Sequence, residues 1–150
     1  MIRSSASKIR SLLKSPSVEG KLPDILQGNR LSHTEICSLL QRCVKEEDII
    51  ATRCLHCIAL ICRFNSTSVH DYLIRAFGSC GSLLEANLVF CGVSIPDISS
   101  WNSIVLAQID HGEARRALHL YYECRQLKRF KQRPGVYPCI IKACTKLGDL

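Results

Sequence analysis

Long apolar runs are missing from this 150-residue sequence. A membrane-spanning helix needs roughly 18–20 apolar residues in a row, and the most apolar stretch, Ile58 to Cys62, is far shorter. No membrane is therefore expected among its partners. An apolar signal segment is also missing from the N-terminus, which argues against a secreted disulfide scaffold despite ten cysteines. Metal-ligand spacing is thin as well. Cys54-Leu55-His56-Cys57 forms one C-x-x-C pair with Cys62 nearby, but no second C-x-x-C or H-x-x-x-H follows. A structural zinc site takes its four ligands in closely spaced pairs, so no metal and no cofactor is expected. Convincing alternating strands are absent from Ser32 onward.

What is present is positive charge. Twenty Lys and Arg stand against 13 Asp and Glu, a formal net charge of +7. This favours anionic partners such as nucleic acid, although imported organelle proteins are equally basic. A content of 47% hydrophobic and 22% charged residues places the chain among folded proteins. The first 17 residues, MIRSSASKIRSLLKSPS, hold Arg3, Lys8, Arg10 and Lys14, and no acid occurs before Glu19. Ile2, Ile9, Leu12 and Leu13 can share one face of a short helix, with the bases opposite. That is the composition of an organellar transit peptide, with a disordered basic tail as the alternative. Arg3 and Arg10 in this compact pattern favour mitochondria over chloroplasts. Pro16 to Ser32, carrying Gly20, Pro23 and Gly28, reads as linker, so 1–32 is leader plus linker.

Beyond it, apolar residues recur at helical spacing in segments separated by short breaks. Trp101, Ile104, Val105 and Ile109 line one helix, which Asp110-His111-Gly112 ends. Ala114, Ala117, Leu118, Tyr121 and Cys124 line the next. Gly112 stands where a helix end takes a left-handed residue. One unit earlier, Tyr72, Leu73, Ala76 and Phe77 precede a turn over Gly78 to Ser82, then Leu83, Ala86, Val89 and Phe90 follow. A third copy has Ile36, Leu39, Leu40 and Cys43, then Glu46-Glu47-Asp48, then Ile49, Ala51, Leu55, Ile58 and Ile61. A fourth begins at Val136. One helical hairpin cannot bury both its faces, so the pairs must stack into an all-α solenoid.

Specific residues then point to a family. Leu73-Ile74-Arg75-Ala76-Phe77-Gly78-Ser79-Cys80-Gly81-Ser82-Leu83-Leu84-Glu85-Ala86 with Val89-Phe90 resembles the plant pentatricopeptide pattern L-I-x-M-Y-x-K-C-G-x-L-x-x-A…V-F. Asp97 to Val105 is similar to D-V-V-S-W-N-x-M-I, and Tyr137 to Leu150 to the F-P-x-V-L-K-A-C-x-x-L-G-x-L of a longer variant. The units run long, short, standard, long over 33–66, 67–97, 98–135 and 136–150, the short one having 31 residues. That order resembles the subclass in which long, short and standard repeats alternate. The resemblance implies a short right-handed, tetratricopeptide-like α-solenoid. It also makes most cysteines packing residues, with Cys43 and Cys144 at equivalent positions and Cys80 in a hairpin turn. His111 and His119 are expected on solvated faces, and Trp101 in the core.

Functionally, the resemblance implies binding of single-stranded organellar RNA, one base per repeat. The reading positions would be the fifth residue and the last of each unit: Cys37 with Ser66, Asp71 with Asp97, and Asn102 with Gly135. Only Asn102 offers both a donor and an acceptor to a base edge. Two carboxylates accept only, and Gly135 has no side chain. Phosphate contacts are expected from Arg115, Arg116, Lys128 and Arg129, with a solvated outer face as the alternative for the first two. In this subclass, editing of C to U resembles zinc deamination by a separate domain, whose H-x-E and P-C-x-x-C pattern is not in this sequence. The expectation is a non-catalytic RNA binder supporting RNA processing or modification, with a separate editing or processing protein as a further candidate partner. A protein-binding helical adaptor, or a remnant with little RNA affinity, is the alternative.

Overall fold

The computed structural model describes residues 31–127 and, beyond them, Ile141, Lys142, Cys144, Thr145 and Gly148. The leader, Gly135, Lys128 and Arg129 lie outside the described residues. Among the described residues, six α-helices follow one another: α1 His33–Glu46, α2 Ile49–Ile61, α3 Thr67–Ser79, α4 Leu83–Gly92, α5 Ile98–Asp110 and α6 Ala114–Gln126. No strand occurs among the described residues, and no helix there is long and apolar enough to cross a membrane.

Each first helix starts at a side-chain cap. Ser32 accepts from the Glu35 N–H while the Glu35 carboxylate accepts from the Ser32 N–H, a reciprocal capping box. Ser66 caps α3 through Val69 N–H, and Asp97 caps α5 through Ser100 N–H. Such a cap contributes about 1 kcal/mol. Asp48 does the same for α2, whereas Ser82 and Glu113, ahead of α4 and α6, make no side-chain cap bond.

The three hairpin turns are copies of one another. Glu47, Gly81 and Gly112 all have left-handed φ, at 51°, 75° and 80°. The next N–H in each turn reaches back five residues: Asp48 to the Cys43 carbonyl, Ser82 to Phe77, and Glu113 to Gln108. This is the Schellman closure of a helix end, and it reverses the chain within about two residues. Tight reversal makes the two helices of each pair antiparallel neighbours.

Packing then repeats. Leu39-Leu40, Leu73-Ile74 and Ile104-Val105 are buried at the same register of the three first helices. Thr52, Ala86 and Ala117 are fully buried at the same register of the second helices, small enough for helix to meet helix. Trp101 is only 7% exposed and sits edge-on to Phe90, with ring centroids 4.8 Å apart, so it belongs to the core. α3 packs on both α1 and α5, while α2 and α4 each pack on the first helix of the next pair. Successive second helices share no such extended contact. The stack is therefore closed along the first helices and open along the second ones.

Two details differ from the sequence expectation. Gly78 is not in the turn but in the last turn of α3, which continues to Ser79. A Cβ there would lie 2.7 Å from the Ala107 Cβ, so glycine is what lets α5 approach α3 so closely. Ile61, expected on the inner face of α2, is 74% exposed. It is the last residue of that helix, and Arg63 (φ 54°) turns the chain away just beyond it. All nine described cysteines are free thiols. Burial pushes the Cys43 thiol up to about 11, with the Thr52 hydroxyl opposing it, so Cys43 is a core residue beside the α2 crossing.

Candidate nucleic-acid interface

The implied reading positions fall into two structural classes. Cys37, Asp71 and Asn102 occupy the same register, the second turn of α1, α3 and α5, and all three are half-buried. Ser66 and Asp97 are the caps of α3 and α5. A unit's last residue is thus the residue that starts the next unit's first helix. This places it at the seam between neighbours.

Asp71 and Asp97 are brought together. The Ser100 hydroxyl donates to Asp71 Oδ1 at 2.6 Å and stands 3.3 Å from Asp97 Oδ1. Burial raises the Asp71 carboxyl above its ordinary value of 3.8, the Ser100 and Ser99 hydroxyls oppose this, and Asp97 adds to it by like charge. Ser66 has another partner, the imidazole of His33 one unit back. Cys37 packs against the core, where burial raises its thiol pKa. Asn102 is half-buried on α5.

One turn beyond the Asp71 and Asn102 register, a groove of about 500 Å³ crosses the row of first helices. Val44 and Glu47 line it from the end of α1, Arg75 and Ser79 from α3, and Ser103, Leu106, Asp110 and His111 from α5 and its turn. Arg75 lies over the Tyr72 ring, 5.8 Å from its centroid. Tyr72 in turn accepts a hydrogen bond from Gln41 of α1. His111 donates through Nε2 to the Gly78 carbonyl, so an exposed histidine also ties the second hairpin to the third. His119 is solvated, with Nδ1 3.5 Å from the carboxylate of its helix neighbour Glu123. Lys142 pairs with Asp110 at the groove's far end.

Of the expected phosphate contacts, the two described ones, Arg115 and Arg116, do not line this groove. Arg115 and Arg116 are exposed in the first turn of α6, a second helix, and no α6 residue lines the groove. Arg75 was missed in the sequence because it was read only as part of a family pattern. Its spacing, four residues after Asp71 on the same helix, is the signal that would have found it. Ser100 and His111 gave no such signal, since their partners are 29 and 33 residues away.

Capped hairpins repeated at one register, in contact only with their neighbours, define an α-solenoid of helical hairpin repeats. Comparison with known proteins specifies which kind. A mitochondrial pentatricopeptide repeat-containing protein of Arabidopsis thaliana is 30% identical over 125 residues, covering 83% of this chain and 18% of that protein. A second mitochondrial one from the same plant is 26% identical over 115 residues, 75% of this chain and 22% of that protein. A chloroplastic one is 33% identical over 78 residues, 52% of this chain and 8% of that protein. The chain belongs to the pentatricopeptide repeat proteins. It spans about a fifth or less of the length of these relatives. No family model and no solved structure matches it.

Proposed function

We propose that this chain binds single-stranded RNA along its row of first helices, inside an organelle, and supports RNA processing or modification such as C-to-U editing without catalysing a reaction itself. The observation that carries this reading is the common register of Cys37, Asp71 and Asn102 on three first helices packed side by side. One side chain per unit, facing one row, is the arrangement that reads one base per step. The groove beside that row, with Arg75 in its wall, offers a cation where a strand's backbone would pass. The long–short–standard order of the units supports a partnership with a separate editing or processing protein. The acid-free, arginine-bearing leader supports mitochondrial import. Chloroplastic relatives make the plastid the alternative, which a reporter fused to residues 1–30 decides.

The test is a titration of the full chain with short single-stranded RNAs of varied sequence at low and high salt. Binding should weaken with salt, and Asn102→Ala should cost about 5–10-fold with some bases and little with others, as expected for one lost hydrogen-bonded contact. No binding to any RNA at low salt would refute the reading. A second reading, a protein-binding adaptor, is favoured by Leu84 and Leu88, 74% and 63% exposed on α4. It predicts that Leu88→Lys abolishes partner capture while leaving RNA affinity untouched.

A further inference from the structure

Ser100 has no solvent exposure, yet its one hydroxyl proton is directed at acids from two different elements. Asp71 projects from α3 and Asp97 from the segment entering α5. Two carboxylates this close repel each other and would separate into solvent unless a donor stood between them. Ser100 is that donor. Its hydroxyl bonds Asp71, and its backbone N–H holds Asp97 at 2.9 Å. Ser99 adds a second hydroxyl to Asp71, but Ser100 is the serine that bonds both members of the second unit's candidate reading pair. The raised carboxyl of Asp71, with burial as its first cause, agrees that this group is drawn inward.

Fixing the pair also fixes what it can recognise. An ionised carboxylate has roughly four acceptor sites and no donor, so the bonds from Ser100 leave accepting capacity on both acids. An acceptor set directly against them is repelled, so the edge that fits best is one with two donors side by side. The Watson–Crick edges of adenine, cytosine and uracil each set at least one acceptor beside their donors. Guanine also carries an acceptor, O6, but it alone presents two adjacent donors, N1–H and the N2 amine, and these can face the acids with O6 to one side.

We propose that Ser100 is the positioning residue of the Asp71–Asp97 pair, holding the two carboxylates as one acceptor surface that takes the edge of guanine. The inference rests on the reading of a unit's fifth and last residues as base-facing. Ser100 itself stays buried behind the acids and touches no RNA.

The test measures affinity of the full chain for a short oligouridylate, for the same strand with one central guanosine, and for the same strand with inosine there instead. Guanosine should tighten binding about 10-fold over uridine, the effect of charge-assisted hydrogen bonds. Inosine, lacking the N2 amine, should lose most of that gain. Ser100→Ala should erase the guanosine preference, while Ser100→Thr, which keeps the hydroxyl, restores it. Asp71→Asn, nearly isosteric, should erase it too, and thereby separates recognition from folding. Equal weakening of all three RNAs by Ser100→Ala would show a structural role only and overturn the proposal, as would a preference that survives it. RNA binding without any guanosine preference would overturn this inference alone. Failure to bind any RNA would overturn the RNA reading together with it.

Discussion

Replacing Gly78 by alanine tests how the hairpins are spaced. The added Cβ would sit 2.7 Å from the Ala107 Cβ and 3.5 Å from its Cα. Carbon atoms in contact ordinarily stay about 3.5–4.0 Å apart, so the overlap is about 1 Å. Neither atom can swing aside, because both Cβ positions are fixed by helix backbones. α3 and α5 must separate instead, loosening the extended contact between them and straining the His111 bond to the Gly78 carbonyl. Overpacking of this kind costs about 1–3 kcal/mol. Alanine's better helix propensity offsets about 1 kcal/mol, leaving a net loss of about 1 kcal/mol. In an Ala107→Gly background the obstructing methyl is gone, and Gly78→Ala should then stabilise by about 1 kcal/mol. The four proteins form a cycle with a coupling of about 2 kcal/mol, readable as urea midpoint shifts of about 0.5 M for each single step. If Gly78→Ala stabilises the wild-type chain, or if the coupling is zero, the close approach of α3 and α5 does not set the hairpin spacing.

Two further outcomes follow from the turns and the acid pair. Glu47 holds the left-handed turn position that its counterparts fill with Gly81 and Gly112. Glu47→Gly should therefore raise stability by somewhat under about 1 kcal/mol, since the relief of left-handed strain exceeds glycine's extra entropy in the unfolded chain; a lowered denaturation midpoint would contradict this. Asp71 binds its proton more tightly folded than unfolded, because burial raises its carboxyl above 3.8. A raised acid lowers stability as pH climbs from about 4 through the folded value, after which the loss is constant. Asn cannot ionise, so the melting temperature of Asp71→Asn relative to wild type should rise across that window and then level off. A difference that shrinks as pH rises would show that Ser100 stabilises the charged form more than burial opposes it.

The apolar register of the helices was readable in the sequence because a 3.6-residue period recurs in three units, with a glycine at the turn in two of them. Leu39, Leu73 and Ile104 could be placed in the core without coordinates. Helix ends were less readable. Periodicity says which side of α2 is apolar, but not that Ile61 lies where the chain is already turning away. Gly78 looked like a turn residue because glycine usually is one, whereas its role here is steric and depends on Ala107 of the next unit. The site divides the same way. Family resemblance supplied the fifth and last positions. That the last residues of the first two units are helix caps, and that one serine joins Asp71 to Asp97, are facts of the seam between units, which no single-unit pattern contains.

The pattern of helix contacts has one further consequence. α3 is the only described helix that packs against four others, α1, α2, α4 and α5. A helix held on four sides opens late, because those contacts must be lost before its hydrogen bonds are exposed. The amides of Leu73 to Phe77 would then be the slowest to exchange with solvent. Asp71 is anchored in that same helix, so the part of the candidate surface built from α3 is also the part held most steadily.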